Sequence, residues 1–250
     1  MSNINKPNKF LPTTKEEMKQ RGWDELDVIL ITGDAYIDSP FMGIAVVGRI
    51  LEDIGLRVGI IGQPDVNSDI DVKRMGEPKL FWGVSGGSID SMVSNYTATK
   101  KFRNSDDYTP GGQNNKRPDR ATLVYTNLIR RYFKNTVPIV LGGIEASLRR
   151  LTHYDYWTNK LRKPILFDTK ADYMVYGMGE QAIIDLGNYL KEGKDPRTIR
   201  GLCYISKEAP KEESFLEIPS HQACLDDKEK YIDLFKAFYD NNDPIYSKGL

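Results

Sequence analysis

ILITGDAYIDSPFMG at 29–43 sets an apolar run against a glycine-bearing polar turn. Three further segments repeat the arrangement: LFWGVSGGSID at 80–90, IVLGGIEASLRR at 139–150 and YMVYGMGEQAI at 173–183. Each apolar run reads as a strand buried on both faces, and each turn leads into residues with helical apolar spacing. Strands alternating with helices imply right-handed crossovers and a parallel sheet. In an open sheet of this kind ligands bind beyond the carboxyl ends of the strands, where all four turns fall. The expected fold is α/β, a doubly wound, mostly parallel five-stranded sheet of Rossmann-like form with a helical C-terminal extension.

Outward from these segments, DVILIT (27–32), RVGIIG (57–62), KLFWGV (79–84), VPIVLGG (137–143) and ADYMVYG (171–177) are the five strands, and GLCYIS (201–206) is a candidate edge strand. Helices are expected over Pro40–Ile54, with Gly55 as the stop, over Ser88–Phe102, over 121–133 and from Gly179 to Lys191. Thr14 and Glu17 have capping-box spacing, so a short helix begins there. NSDDYTPGGQNNKRPD (104–119) reads as a long polar loop, and loops of that length are usually functional or mobile. DDKEKYIDLFKAFYD (226–240) is an amphipathic helix with Tyr231, Leu234, Phe235 and Phe238 on one face. The expected organisation is an N-terminal arm at 1–24, an α/β domain at 25–206, and a linker and helix at 207–250.

The 250 residues carry 35 basic and 35 acidic side chains, and this neutral balance argues against a nucleic-acid partner. No apolar run is long enough to span a membrane, and the polar N-terminus lacks a signal-peptide core, so the cytoplasm is the expected location. Cys203 and Cys224 form no C-x-x-C pair. His153 and His221 have no partner at i+3 or i+4, so no metal site is expected in this chain. The first turn is acidic and lacks G-x-G-x-x-G. There is no G-x-x-x-x-G-K-[ST] loop and no G-x-S-x-G elbow. Dinucleotide, P-loop and serine-hydrolase chemistry are therefore disfavoured.

Asp38-Ser39-Pro40-Phe41-Met42-Gly43, Ser85 and Gly142-Gly143 resemble the D-x-H-x-x-G, serine and Gly-Gly elements of cobalamin-binding domains. Pro40 stands where those domains carry the cobalt-ligating histidine, and proline has no side-chain nitrogen to offer. A closer resemblance rests on GDAYIDSPFMG, GVSGGSIDSMVSNYTA, YTPGGQNNKRPDRATLVYTNLIRR, LGGIEASLRRLTHYDYW and YGMGEQAI. By these strings the chain is identified as a member of the YgiQ-type (UPF0313) radical SAM proteins, covering their amino-terminal domain. The resemblance implies a cobalamin-binding-like fold. It also implies a longer natural protein, whose separate catalytic domain carries C-x-x-x-C-x-x-C, a 4Fe–4S cluster and S-adenosylmethionine. This chain lacks that motif, and alone it is expected to catalyse nothing.

Two functional readings follow. In the first, this is an accessory domain holding cobalamin or a substrate against the catalytic barrel. Its crevice would be lined by Asp34, Tyr36, Asp38 and Gly43, by Ser85, Gly86, Gly87 and Ser88, and by Gly142, Gly143, Glu145, Gly177, Gly179 and Glu180. Glycines would let a flat macrocycle approach the backbone. In the second, the domain is a docking module without a ligand. SLRRLTHYDYW (147–157) would supply Arg149, Arg150, His153, Tyr154 and Trp157 as interface or substrate contacts, since Arg, Tyr and Trp are enriched at interface hot spots. The plain alternative for that segment is a surface helix with a packed tryptophan.

Overall fold

The computed structural model describes residues 10–208, 215–243 and 246–250, so most of the linker expected at 207–214 lies outside the described residues. The chain divides into two compact units. The first comprises the chain up to Arg150 together with Ile165–Tyr204, and the second comprises Leu151–Pro164 together with the residues after Tyr204.

In the first unit the elements run α1 (Lys15–Gln20), β1 (Val28–Thr32), α2 (Gly43–Asp53), β2 (Val58–Gly62), α3 (Ile70–Lys73), β3 (Phe81–Ser85), α4 (Ser91–Asn95), α5 (Ala121–Tyr132), β4 (Ile139–Gly142) and α6 (Gly143–Ser147). The second unit contributes β5 (His153–Asp155) and β6 (Lys160–Arg162). The first unit resumes with α7 (Ile165–Thr169), β7 (Tyr173–Val175), α8 (Glu180–Lys191) and β8 (Leu202–Tyr204). The second unit ends with α9 (His221–Asp226) and α10 (Lys228–Asp240).

The main sheet has six strands in the order β2-β1-β3-β4-β7-β8. Five are parallel and correspond to the five expected from sequence. The sixth, β8, pairs antiparallel with β7 as an edge strand. All five residues of β1 are buried, because side chains of a strand alternate between faces and helices cover both. Ile29, Ile31, Trp82, Val84, Ile139 and Leu141 pack with Tyr125, Leu128 and Ile129 of α5 on one face. Val28, Leu30, Val58, Ile60, Phe81 and Val140 pack with Leu51 of α2 and Ile183 and Leu186 of α8 on the other. Residues before β1 join the same cores: Met18 lies in the first cluster and Leu11 in the second. The capping box at Thr14 and Glu17 forms as its spacing predicts.

One helix is much shorter than its apolar pattern suggests. The expected helix over Ser88–Phe102 is helical only at α4. Beyond it the chain folds back, with Tyr96 and Phe102 bridged antiparallel and Lys100 in left-handed backbone geometry at φ 62°.

In the second unit β5 and β6 form an antiparallel hairpin, so the segment after Arg150 is not a surface helix. Of the expected apolar face of α10, Leu234 is buried and Phe235 is 55% exposed, stacked on Tyr239.

Candidate functional site

Strand register brings the glycine-bearing turns into one row. Thr32 pairs with Gly62 on one side and Ser85 on the other, and Ser85 pairs with Gly142. The sequence-derived crevice residues of β1, β3 and β4 therefore share the carboxyl edge of the sheet.

At the centre of that edge the turns pack on one another. The Gly33 N–H donates to the Ser85 carbonyl at 3.2 Å. A Cβ on Gly33 would lie 2.1 Å from the Gly86 carbonyl oxygen, so only glycine fits there. Gly86 faces the Glu145 carboxylate in the same way, at 2.4 Å, and Gly87 faces Asp34 and Arg117. Gly143, at φ 79°, sits against the Ser85 hydroxyl. That hydroxyl accepts from the Gly87 N–H at 3.1 Å. These glycines serve close approach within the protein.

Asp34 is 1% exposed. It accepts from the Ser88 N–H at 2.6 Å and pairs with Arg117 at 2.9 Å. Arg117 comes from the long polar loop, and its side chain is fully buried. It also bonds both Asp106 oxygens, at 3.1 and 3.3 Å, and the Gly86 carbonyl at 3.1 Å. Burial pulls the Asp106 carboxyl upward, but hydrogen bonds from the Tyr108 N–H, the Thr109 hydroxyl and Arg117 outweigh it and hold the group below its ordinary range. The loop is laced further to β1: Ala35 N–H donates to the Tyr108 carbonyl at 2.9 Å, and Gln63 Nε2 donates to Thr109 Oγ1 at 2.6 Å and the Gly33 carbonyl at 3.0 Å. Sequence reasoning missed Arg117, because nothing in NNKRPDR separates it from Lys116 or Arg120.

Glu145 is 2% exposed and binds two helix starts at once. Its oxygens accept from the Ser91 N–H of α4 at 2.9 Å and the Thr122 N–H of α5 at 3.0 Å. Helix α5 needs this, since Arg120 at its N-cap supplies no side-chain cap. Arg149 in turn bonds Asp90 and the Glu145 carbonyl. Arg150 lies over the Tyr176 ring at 4.8 Å. Arg117 and Arg149 are thus turned inward, while Lys116 is exposed.

Asp38 forms a two-pronged pair with Arg49. The hydrogen bonds from Arg49 hold its carboxyl below the usual range. The Tyr36 hydroxyl accepts from the Leu11 N–H at 3.2 Å, and burial raises the phenol. Among the described residues no cluster of three His, Cys, Asp or Glu side chains is placed to hold a metal ion.

The outer part of the edge differs. A Cβ at Gly43 or Gly177 would meet nothing within 4 Å, and one at Gly142 would meet only the Val175 carbonyl at 3.9 Å. Gly179 and the exposed Glu180 begin α8, and that N-terminus carries no side-chain cap. Exposed apolar side chains follow the ends of three of these strands. They are Ile37 and Phe41 after β1, Ile144 and Leu148 on α6 and following it, and Met178 after β7, with Phe41 91% and Met178 94% exposed.

In the second unit His153 Nδ1 lies 3.1 Å from the Leu151 carbonyl, and Tyr154 is half exposed with its hydroxyl donating to Asn159 at 2.6 Å. Trp157 packs edge-on against Tyr156. The segment read as one aromatic-basic patch is thus divided, with Arg149 and Arg150 in the first unit and the remainder in the second.

A family model described as Radical SAM N-terminal matches residues 10–250. The chain belongs to the Radical SAM N-terminal family. Among its relatives, a UPF0313 protein of Fusobacterium nucleatum is 61% identical over 243 residues, covering 97% of this chain and 42% of the relative. One of Thermotoga petrophila is 52% identical, covering 96% and 43%. One of Methanocella arvoryzae is 49% identical, covering 95% and 40%. The Radical SAM N-terminal chain thus spans less than half the length of these curated relatives. Among solved structures, it is similar to the radical S-adenosylmethionine methyltransferase TsrM of Kitasatospora setae with cobalamin and a 4Fe–4S cluster bound. That match has a TM-score of 0.48 and 19% identity, and covers 73% of this chain and 29% of TsrM. Among the described residues no helix is long and apolar enough to cross a membrane.

Proposed function

We propose that this chain is the accessory domain of a longer radical SAM enzyme and holds a flat, amphipathic ligand, cobalamin or the substrate, against a C-terminal catalytic domain. That catalytic domain carries the 4Fe–4S cluster and S-adenosylmethionine, and the enzyme works in the cytoplasm. The observation that carries the reading is the outer carboxyl edge, which has the open positions Gly43, Gly142 and Gly177 and, following the same strands, the exposed Phe41, Ile144, Leu148 and Met178. A ligand with an apolar face and polar edges fits such a surface.

The residues fit cobalamin in part. The rim offers room and apolar contact, and the first loop offers no cobalt ligand. Pro40 has no donor nitrogen, and Asp38 is held by Arg49. Cobalamin would therefore sit here without a protein ligand from that loop, held by Gly142, Gly177, Phe41 and Met178. When bound, it would supply cobalt-centred alkyl-transfer chemistry. The inner residues, Asp34, Ser85, Gly86, Gly87, Ser88, Gly143 and Glu145, act beneath the rim by fixing the turns.

The second reading, a docking module without a ligand, is supported by the same exposed apolar side chains and by the half-exposed Tyr154 and Tyr156. Absorbance titration with hydroxocobalamin, checked by co-elution on gel filtration, separates the two. Stoichiometric binding that Gly142→Val abolishes supports the accessory role. No binding at tens of micromolar, about −6 kcal/mol or weaker, leaves the docking role.

A further inference from the structure

A second cleft opens beside the glycine edge, at the carboxyl ends of β1 and β2. It is a shallow, open cleft of about 410 Å³, lined by Thr13, Tyr36, Gly62, Gln63, Arg74 and Lys116, among others. That volume lies within the range of small-molecule sites. Its position obeys the rule that ligands of open α/β sheets lie beyond the strand ends.

The lining carries two cationic side chains and no carboxylate. Arg74, just after α3, meets Asp71 at 3.3 Å, the long end of a hydrogen bond, and its Nε is buried with no hydrogen-bond partner. The side chain as a whole is 29% exposed and lines the cleft, so its charge is available to an anion there. Lys116 is exposed and makes no ion pair among the described residues, although Asp65 lies within its electrostatic reach. Gln63 forms part of the wall in left-handed geometry, φ 45°, with its amide fixed on Gly33 and Thr109. The half-buried Tyr36 ring adds an aromatic surface.

We propose that this cleft binds a small phosphorylated ligand of mononucleotide size. Arg74 and Lys116 hold the phosphate, and Tyr36 packs against the organic part. Arginine matches phosphate oxygens with its planar fork, and lysine acts as a point charge. The site uses no glycine-rich phosphate loop and no helix N-terminus, so the motif patterns absent from the sequence do not bear on it. It is independent of the rim reading, and either can fail alone.

The test is calorimetric titration of the 250-residue chain with adenosine 5′-monophosphate, ribose 5-phosphate, inorganic phosphate and adenosine, in about 0.15 M potassium chloride to screen diffuse attraction. The expected result is one saturable site for a phosphorylated probe with Kd of roughly 10 μM to 1 mM. Adenosine should bind at least about tenfold more weakly than its monophosphate. Lys116→Gln and Arg74→Gln should each weaken binding about tenfold, while Lys191→Gln, an exposed lysine at the end of α8, leaves it unchanged. Lys116 is exposed, so its variant decides the matter even if Arg74→Gln fails to fold. Three outcomes overturn the proposal: no saturation by any phosphorylated probe at about 5 mM, adenosine binding as well as its monophosphate, or a Kd that Lys116→Gln leaves within about twofold.

Discussion

Replacing Arg117 by methionine is the sharpest test of what holds the carboxyl edge together. The side chain is fully buried between Asp34 and Asp106, whose own side chains are 2% and 1% exposed. Methionine fills similar volume but leaves both anions without their cation and the Gly86 carbonyl without its donor. Removing one member of a buried ion-pair network costs about 3–5 kcal/mol, against about 5–15 kcal/mol for a whole domain. Asp34 keeps the Ser88 N–H, and Asp106 keeps the Tyr108 N–H and the Thr109 hydroxyl, so the lower half of that range is expected. In a domain of this size each kcal/mol moves Tm by about 2–4 °C, which places the loss near 6–16 °C. Urea unfolding at pH 7, with calorimetry alongside, reads it directly. Adding Asp106→Asn to Arg117→Met should recover part of the loss, because one uncompensated charge is gone. The gap between wild type and variant should narrow toward acid, where the unpaired carboxylate can take up a proton. A loss below about 1 kcal/mol, or a double variant as weak as the sum of the two singles, would refute the account of Arg117 as the clamp of this edge.

Gly86→Ala should cost more than about 2 kcal/mol in urea unfolding, because its Cβ would lie 2.4 Å from a Glu145 oxygen that tethers α4. Gly142→Ala, whose Cβ meets only the Val175 carbonyl at 3.9 Å, should stay within about 1 kcal/mol of wild type. Stability should be complete above the ordinary carboxyl value of 3.8 and fall as pH drops through lower values. Asp27, where the Arg57 hydrogen bonds outweigh burial, Asp38, held by Arg49, and Asp106 all have folded values below that figure. Asp38→Asn should therefore flatten the acid limb of an unfolding series from pH 6 to pH 2, and an unchanged slope would count against the Asp38–Arg49 pair. Burial pushes the Cys203 thiol up to about 11. Iodoacetamide at pH 8 should then modify Cys203 roughly a hundredfold more slowly in the native chain than in urea, as mass spectrometry after a timed quench reports.

The sheet was legible because its strands are continuous apolar runs bounded by glycine turns, and a strand buried on both faces needs little else to declare itself. The Thr14–Glu17 capping box and the helix stop at Gly55 are equally local, since their partners lie within four residues. The overlong helix after Ser88 shows where local reading fails. Apolar spacing continues through Tyr96 and Phe102, but those two residues bridge each other across a turn at Lys100, a pairing that spacing alone does not encode.

By itself, the sequence determined the α/β class, the parallel strands, the edge strand near Cys203 and the gathering of glycine turns at one end of the sheet. It also determined the family, through long strings that need no geometry to recognise. Tertiary structure alone decided what those glycines are for. At Gly33, Gly86 and Gly143 the missing Cβ makes room for the protein's own carbonyl, carboxylate and hydroxyl, whereas at Gly43, Gly142 and Gly177 the edge stays open. It also decided that one arginine of an unremarkable polar loop is buried against Asp34 and Asp106. The reason is physical. Whether a glycine admits a ligand or a neighbouring turn, and whether an arginine faces water or two buried carboxylates, depends on contacts between residues that are not neighbours on one element. Composition and local periodicity carry no record of those contacts.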